Sequence, residues 1–253
     1  MYLSATRQLQ IEKGLPDPKM QNMAKLSQVL RGVRATQAGK STTVRLPITP
    51  QILERIKEAW ERTGLNDNRV MLWAAMLLCF FGFFRSGEIL SPAQGLFDTS
   101  SHLTCADLAI DSVTDPQCLR VHLKQSKTDR FKEGTYVYVG RTGEILCPVA
   151  AVLAWLIRRG NSRGPLFRYS NGTPLTQARF VMEVRKALLL IGENPKDYGG
   201  HSFRAGAAMA AAQQGAGDAT IKLLGRWRSL AYQIYIKTPP ASLASYSKTL
   251  LKK

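Results

Sequence analysis

The chain has 253 residues, 45% of them hydrophobic, enough for one large domain with a proper core or for a domain plus a small piece. Its 35 Lys and Arg residues against 18 Asp and Glu leave a formal net charge of +17, a surplus that favours a polyanionic partner, nucleic acid above all. Cys79, Cys105, Cys118 and Cys147 are dispersed, with no C-x-x-C pair and no companion histidines, which argues against a metal site or a disulfide framework and for a reducing compartment.

The opening MYLSATRQLQ holds no apolar stretch, so no signal peptide is expected. Residues 1–36 read as two amphipathic helices separated by GLPDP. The second carries Met23, Leu26, Val29, Leu30 and Val33 at helical spacing. A basic polar linker, QAGKSTTVR, follows. A new unit opens at LPITP, where Thr49 as N-cap and Pro50 at the first helical position start a helix. Its apolar face is Ile52, Leu53, Ile56, Ala59 and Trp60, and Gly64 closes it. Asn66 or Asp67 caps the next helix, which is expected to run to Phe84 and deliver Arg85. The apolar run Val70–Phe84 falls short of the roughly 18–20 residues that a membrane span needs, so it reads as a helix inside a core, and no membrane partner is expected.

From Leu103 the period changes to two. Leu119, Val121 and Leu123 alternate with Arg120, His122 and Lys124, and Tyr136–Val139 form a second run. The polar KQSKTDRFKEG between them predicts a small antiparallel hairpin with a basic tip. Helices resume at Cys147–Pro148, at Thr176, and on an alanine-rich stretch whose first turn carries His201 and Arg204. A Gly-Arg-Trp turn (Gly225–Trp227) and a short helix with Tyr232 and Tyr235 follow. The expected class is mainly α with one small antiparallel sheet (α+β).

Several polar residues have no structural need to be where they are. Arg85 closes an apolar run, and a guanidinium at a core edge is costly unless its charge is met. Glu88, three residues on, either neutralises it or orients it toward an anion. His201 and Arg204 share a helix face at a helix N-terminus suited to anions. Lys127 sits at the hairpin tip among Lys124, Arg130 and Lys132, which read either as a solvated charge run or as DNA contacts. Tyr235 would be inert at a pKa near ~10 unless cations stabilise its phenolate. Read as chemistry, these are phosphate ligands, a proton donor and a nucleophile.

In this order, and in the wording FFGFFRSGEIL, SKTD, GHSFRAGAA and LGRWRS-x-AY-x-x-YI, the sequence resembles the tyrosine recombinase (phage integrase) family over roughly residues 46–240. It looks most like recombinases of eukaryotic DIRS-type retroelements, or the related Crypton transposons. The resemblance implies a tyrosine recombinase catalytic-domain fold over 46–253. Residues 1–45 would be a partial helical core-binding (SAM-like) remnant plus linker.

The implied activity is DNA strand cleavage and rejoining through a 3′-phosphotyrosine, in a mobile-element context. Arg85 and Arg204 would clamp the scissile phosphate, Lys127 would protonate the leaving 5′ oxygen, His201 would assist proton transfer and Tyr235 would attack. No metal or other cofactor is implied. The partners would be double-stranded DNA and further copies of the chain, two or four, docked through the tail TPPASLASYSKTLLKK. The implied location is nuclear. Counting back from Tyr235 puts Arg226 where the family often has histidine. Residue type favours Trp227, whose indole N–H can donate to phosphate, with Arg226 in support. Tyr232 is the rival nucleophile. Two other readings explain less: a catalytically inactive DNA-binding descendant, and a helix-turn-helix regulator built on AAAQQGAGDATIKLLGRW, which leaves Arg85, Lys127 and Tyr235 unused.

Overall fold

The computed structural model describes residues 8–15, 28–29, 32, 45–93, 95–125, 133–227 and 229–235, with Leu230, Ala231 and Tyr235 described by backbone alone. Two compact units divide the chain, 1–44 and 45–253. In the first, residues 8–12 are helical and a turn at Gly14 follows, with φ +70°. Residues 28, 29 and 32, within the second helix expected there, are helical; the rest of the two helices, and the C-terminal tail, lie outside the described residues.

The second unit starts with an extended stretch. The Leu46 and Ile48 N–H groups donate to the carbonyls of Asp197 (2.7 Å) and Ser202 (2.9 Å). Helix α1 (Pro50–Thr63) opens as its sequence dictates, with the Thr49 hydroxyl accepting from the Ile52 N–H. Its expected apolar face is buried. Asn66, rather than Asp67, caps α2 (Asp67–Phe81), whose every residue from Met71 to Phe80 is buried. A helix apolar all round belongs at the centre of a core, and α2 is the central element here.

The end of α2 departs from expectation. It stops at Phe81, not Phe84. The Gly82 N–H caps it by donating to the Leu78 and Phe80 carbonyls, and Phe83 takes a left-handed φ of +51°. That backbone region costs a non-glycine residue about 1–2 kcal/mol. The buried Phe83 ring offsets the cost by packing edge-on against Trp227, with 6.3 Å between centroids. Arg85 therefore does not end the long helix. It is the N-cap of a new one-turn helix, α3 (Ser86–Ile89). The turn also leaves the Gly82 and Phe83 carbonyls outside the helix ladder.

The sheet has three strands, one more than the expected hairpin. β1 (Leu108–Ile110), β2 (Cys118–Leu123) and β3 (Thr135–Gly140) are antiparallel in the order β1-β2-β3. Leu119 pairs with Val139 and Val121 with Val137, so one face joins the core, while Arg120, Tyr136 and Tyr138 stay exposed on the other.

Helix α4 (Pro148–Arg159) packs on α2, and α5 (Gln177–Leu190), capped by Thr176, packs on α1. The buried Arg159 guanidinium donates to the carbonyls of Gly160, Ser162, Gly164, Pro165 and Leu166 and so shapes the loop after α4. Helix α6 (Ser202–Gln213) lies against α2, and its Gly206 meets the extended stretch so closely that a Cβ there would sit 1.7 Å from the Ile48 carbonyl oxygen. Helix α7 (Asp218–Gly225) and a 3-10 turn (Leu230–Tyr235) pack on α6. Among the described residues no helix is long and apolar enough to cross a membrane.

Candidate active site

The turn after α2, the N-terminus of α6 and the turn after α7 meet at one carboxylate. Glu88 is nearly buried, at 5% side-chain exposure. Its Oε1 accepts from Arg85 Nη1 at 2.6 Å, and its Oε2 accepts from the Arg85 backbone N–H at 3.0 Å and from Arg226 Nη2 at 3.1 Å. Arg204 Nη1 lies 3.6 Å from Oε2. Burial pushes the Glu88 carboxyl up. Arg226, the Arg85 N–H, Arg204 and Arg85 outweigh it and hold the group below the ordinary carboxylate range. Cys79, buried in α2, is pushed the other way, by burial first and by the Glu88 charge second.

The guanidinium groups differ in what else they touch. Arg85 keeps 23% side-chain exposure. Arg204 is buried. It donates to the Phe83 carbonyl at 2.9 Å and to the Gly225 carbonyl, and it lies 4.4 Å from the centroid of the Trp227 ring. Arg226 donates to the Gly82 carbonyl (3.0 Å) and the Phe83 carbonyl (3.2 Å). The left-handed turn at Phe83 thus supplies acceptors to two arginines distant in sequence.

Arg226 ends α7 in a left-handed conformation, φ +55°. Its N–H donates to the Leu223 carbonyl and that of Trp227 to the Lys222 carbonyl, the hydrogen-bond pattern of a helix end that usually carries glycine. The turn tucks the Trp227 ring beneath Gly225, where a Cβ would come within 1.6 Å of it. Trp227 in turn packs on Tyr232, with 5.4 Å between centroids.

No protein-family model matches the sequence. An integrase/recombinase xerD homolog of Selenomonas ruminantium is 27% identical over 216 residues, 81% of this chain and 56% of that protein. Among solved structures, XerH site-specific recombinase bound to a palindromic difH substrate matches with a TM-score of 0.60 at 19% identity, covering 82% of this chain and 54% of that one. XerA recombinase matches at 0.58 and 14% identity, over 84% of this chain and 66% of that one. A lambda integrase dimer bound to a COC′ core site matches at 0.54 and 17% identity, over 81% and 51%. The fold is that of a tyrosine recombinase catalytic domain. The sequence similarity is to the same tyrosine recombinase/integrase family, and the match spans little more than half of the curated relative.

On this recombinase fold, Arg85, Glu88, Arg204, Arg226 and Trp227 come together. His201 immediately precedes α6 and is exposed, and its ring does not cap the helix. Tyr235 ends the 3-10 turn. Lys127, Arg130 and Lys132 lie outside the described residues. The Lys124 amine donates to Asp107 Oδ2 (2.6 Å), the Thr99 carbonyl (2.7 Å) and the His102 carbonyl (3.2 Å), so it ties down the base of the hairpin. Tyr232 is fully buried. Burial, and then the Asp218 carboxylate, raise its phenol above the ordinary tyrosine range.

Sequence reading missed the two carbonyls of the α2 turn. The Gly82 in FFGFFR was a signal for it, but nothing in the sequence linked that turn to Arg226. Among the described residues no group of three His, Cys, Asp or Glu could hold a metal ion. A hollow of about 660 Å³ lined by Asn66, Arg158, Arg159, Arg168 and Tyr169 shares no residue with the Glu88 cluster.

Proposed function

We propose that this chain is the catalytic part of a tyrosine-type DNA recombinase that cuts and rejoins duplex DNA through a covalent 3′-phosphotyrosine. The observation that carries the reading is the meeting of Arg85, Arg204 and Arg226 at the single carboxylate of Glu88. One carboxylate cannot neutralise three guanidinium groups. The surplus positive charge suits a phosphoryl transition state, which gathers negative charge on its non-bridging oxygens. The similarity in fold to XerH recombinase bound to its difH substrate and to lambda integrase bound to a COC′ core site supports the same reading.

In this mechanism Arg85 and Arg204 hold the scissile phosphate. The Tyr235 oxygen attacks phosphorus and gives up its proton, with His201 assisting. The bond to the 5′ oxygen breaks, and Lys127 protonates that oxygen. The products are a 3′-phosphotyrosyl link and a free 5′ hydroxyl. The link conserves the phosphodiester energy, so rejoining is the same sequence reversed with a new 5′ hydroxyl. Trp227 anchors the turn that leads to Tyr235 and places its indole N–H beside the phosphate. Arg130 and Lys132 add backbone contacts at the hairpin tip.

Tyr232 is the weaker nucleophile, because a buried phenol facing a carboxylate resists ionisation. By the wording of its motifs we assign the chain to DIRS-type or Crypton-like mobile elements, acting in the nucleus as a dimer or tetramer on DNA. Residues 46–253 are the catalytic unit in this reading, and 1–45 belong to a helical core-binding unit.

A second reading, a DNA-binding protein without turnover, draws on the burial of Arg204 beneath Trp227. Nicked duplex oligonucleotides separate the two. Under the first, wild type yields a protein–DNA band that survives SDS, Tyr235→Phe binds without yielding it, and Tyr232→Phe still yields it. Under the second, wild type binds and no band forms.

A further inference from the structure

Arg226 stands, counting back from Tyr235, where a direct phosphate contact is the simplest expectation. Its surroundings say otherwise. The guanidinium turns inward, at 18% side-chain exposure, and is occupied by Glu88 Oε2 and by the Gly82 and Phe83 carbonyls. It lies over the Phe84 ring, 4.9 Å from its centroid. Its backbone holds a left-handed conformation that a glycine would adopt without cost.

We propose that Arg226 is a positioning residue for the strand-transfer chemistry, locking Glu88 and the α2 turn so that Arg85 is aimed at the phosphate. This rests on the recombinase reading above. Glu88 has two oxygens. Arg226 shares Oε2 with the Arg85 N–H, which turns Oε1 toward Arg85 Nη1. The same guanidinium grips the Phe83 carbonyl that also accepts from Arg204. One side chain thereby fixes the geometry of both proposed phosphate clamps and reaches the ligand through them. The guanidinium uses two nitrogens, Nη1 for the Gly82 carbonyl and Nη2 for the Phe83 carbonyl and Glu88 Oε2; lysine, with one nitrogen, keeps the charge at Glu88 but not that fork.

The groups facing Glu88 are Arg85 on its own turn, Cys79 from α2, Arg204 from α6 and Arg226 from the end of α7. Of these Arg226 is the one whose removal uncouples the carboxylate without touching the proposed phosphate clamps themselves. With Arg226 gone, Glu88 takes up a proton more readily. Strand cleavage that needs the carboxylate is then lost at a higher pH than in wild type.

The test uses Arg226→Gly, which suits the left-handed backbone, and Arg226→Lys, with single-turnover trapping on nicked duplex at saturating DNA across pH. Expected for Arg226→Gly is a folded protein with DNA affinity within about threefold of wild type. Its trapping rate falls about 100-fold at neutral pH, and its acid limb moves to higher pH. Arg226→Lys retains the limb of wild type and recovers part of the rate. A rate loss that is uniform across pH in both variants would make Arg226 a direct ligand and overturn the proposal, as would wild-type rates in Arg226→Gly.

Thermal unfolding of Arg226→Gly, Glu88→Gln and the double variant gives a readout independent of cleavage. Coupled losses support the lock, and additive losses overturn it. If wild type binds DNA but never traps, the cleavage reading fails, and the unfolding cycle still decides whether Arg226 holds Glu88.

Discussion

The indole ring of Trp227 covers the guanidinium of Arg204, with 4.4 Å from the charge centre to the ring centroid. A cation against an aromatic face is held by the ring quadrupole, worth about 2 kcal/mol when desolvated. Here the pair also closes a stack, since Trp227 packs on Phe83 and Tyr232. Trp227→Ala should cost about 3–5 kcal/mol in urea unfolding. Trp227→Phe should recover most of it. A loss under about 1 kcal/mol for the alanine variant would mean that the ring is not an anchor.

Glu88 gives a pH signature. Its folded-state pKa is depressed, so its stabilising contribution is present above the unfolded value of about 4.3 and is lost as pH falls below it. Glu88→Gln leaves Arg85, Arg204 and Arg226 without their shared counter-charge and should cost about 3–5 kcal/mol at neutral pH. The gap between wild type and Glu88→Gln, followed by denaturant unfolding from neutral pH down to acid, should narrow as pH drops. A gap constant across that range would show that the carboxylate charge is not what the arginines use.

Lys124 separates structural from DNA-facing charge. Its amine is taken up by Asp107 and two carbonyls, so Lys124→Gln should lower stability by about 2 kcal/mol. The salt dependence of DNA binding should be unchanged. Loss of a true phosphate contact instead reduces the slope of log K against log salt by about 1, which is the outcome expected for Arg130→Gln and Lys132→Gln. A slope change for Lys124→Gln matching theirs would return it to the DNA surface.

Tyr232 should behave as a core residue. Tyr232→Phe keeps the ring against Trp227 and should trap DNA at a rate close to wild type, whereas Tyr232→Ala should unfold at markedly lower denaturant. Loss of trapping in a folded Tyr232→Phe protein would make it the nucleophile.

Local rules made much of this fold legible. Thr49–Pro50, Asn66 and Thr176 announced their helices because capping is chemistry among close neighbours. Alternation announced β2 and β3. The failures were of reach or of length. β1 has three residues, too few for a period. The break at Phe81 sits in an apolar run where hydrophobicity alone reads as continuous helix, and it is stabilised by Trp227, far along the chain. The site was legible as a set of residue types but not as an arrangement. Glu88 could be paired with Arg85 from spacing alone. That Arg226 would turn inward to the same carboxylate depended on two left-handed residues, Phe83 and Arg226, on different turns.

The central claim is that Tyr235 becomes covalently joined to DNA. After trapping on a nicked duplex, nuclease trimming and trypsin digestion, cleavage at Arg228 and Lys237 releases SLAYQIYIK, which carries both Tyr232 and Tyr235. Fragmentation mass spectrometry of that peptide should place a nucleotide 3′-phosphate on Tyr235. The same adduct on Tyr232, or an unmodified peptide from protein that bound the duplex fully, would contradict the account.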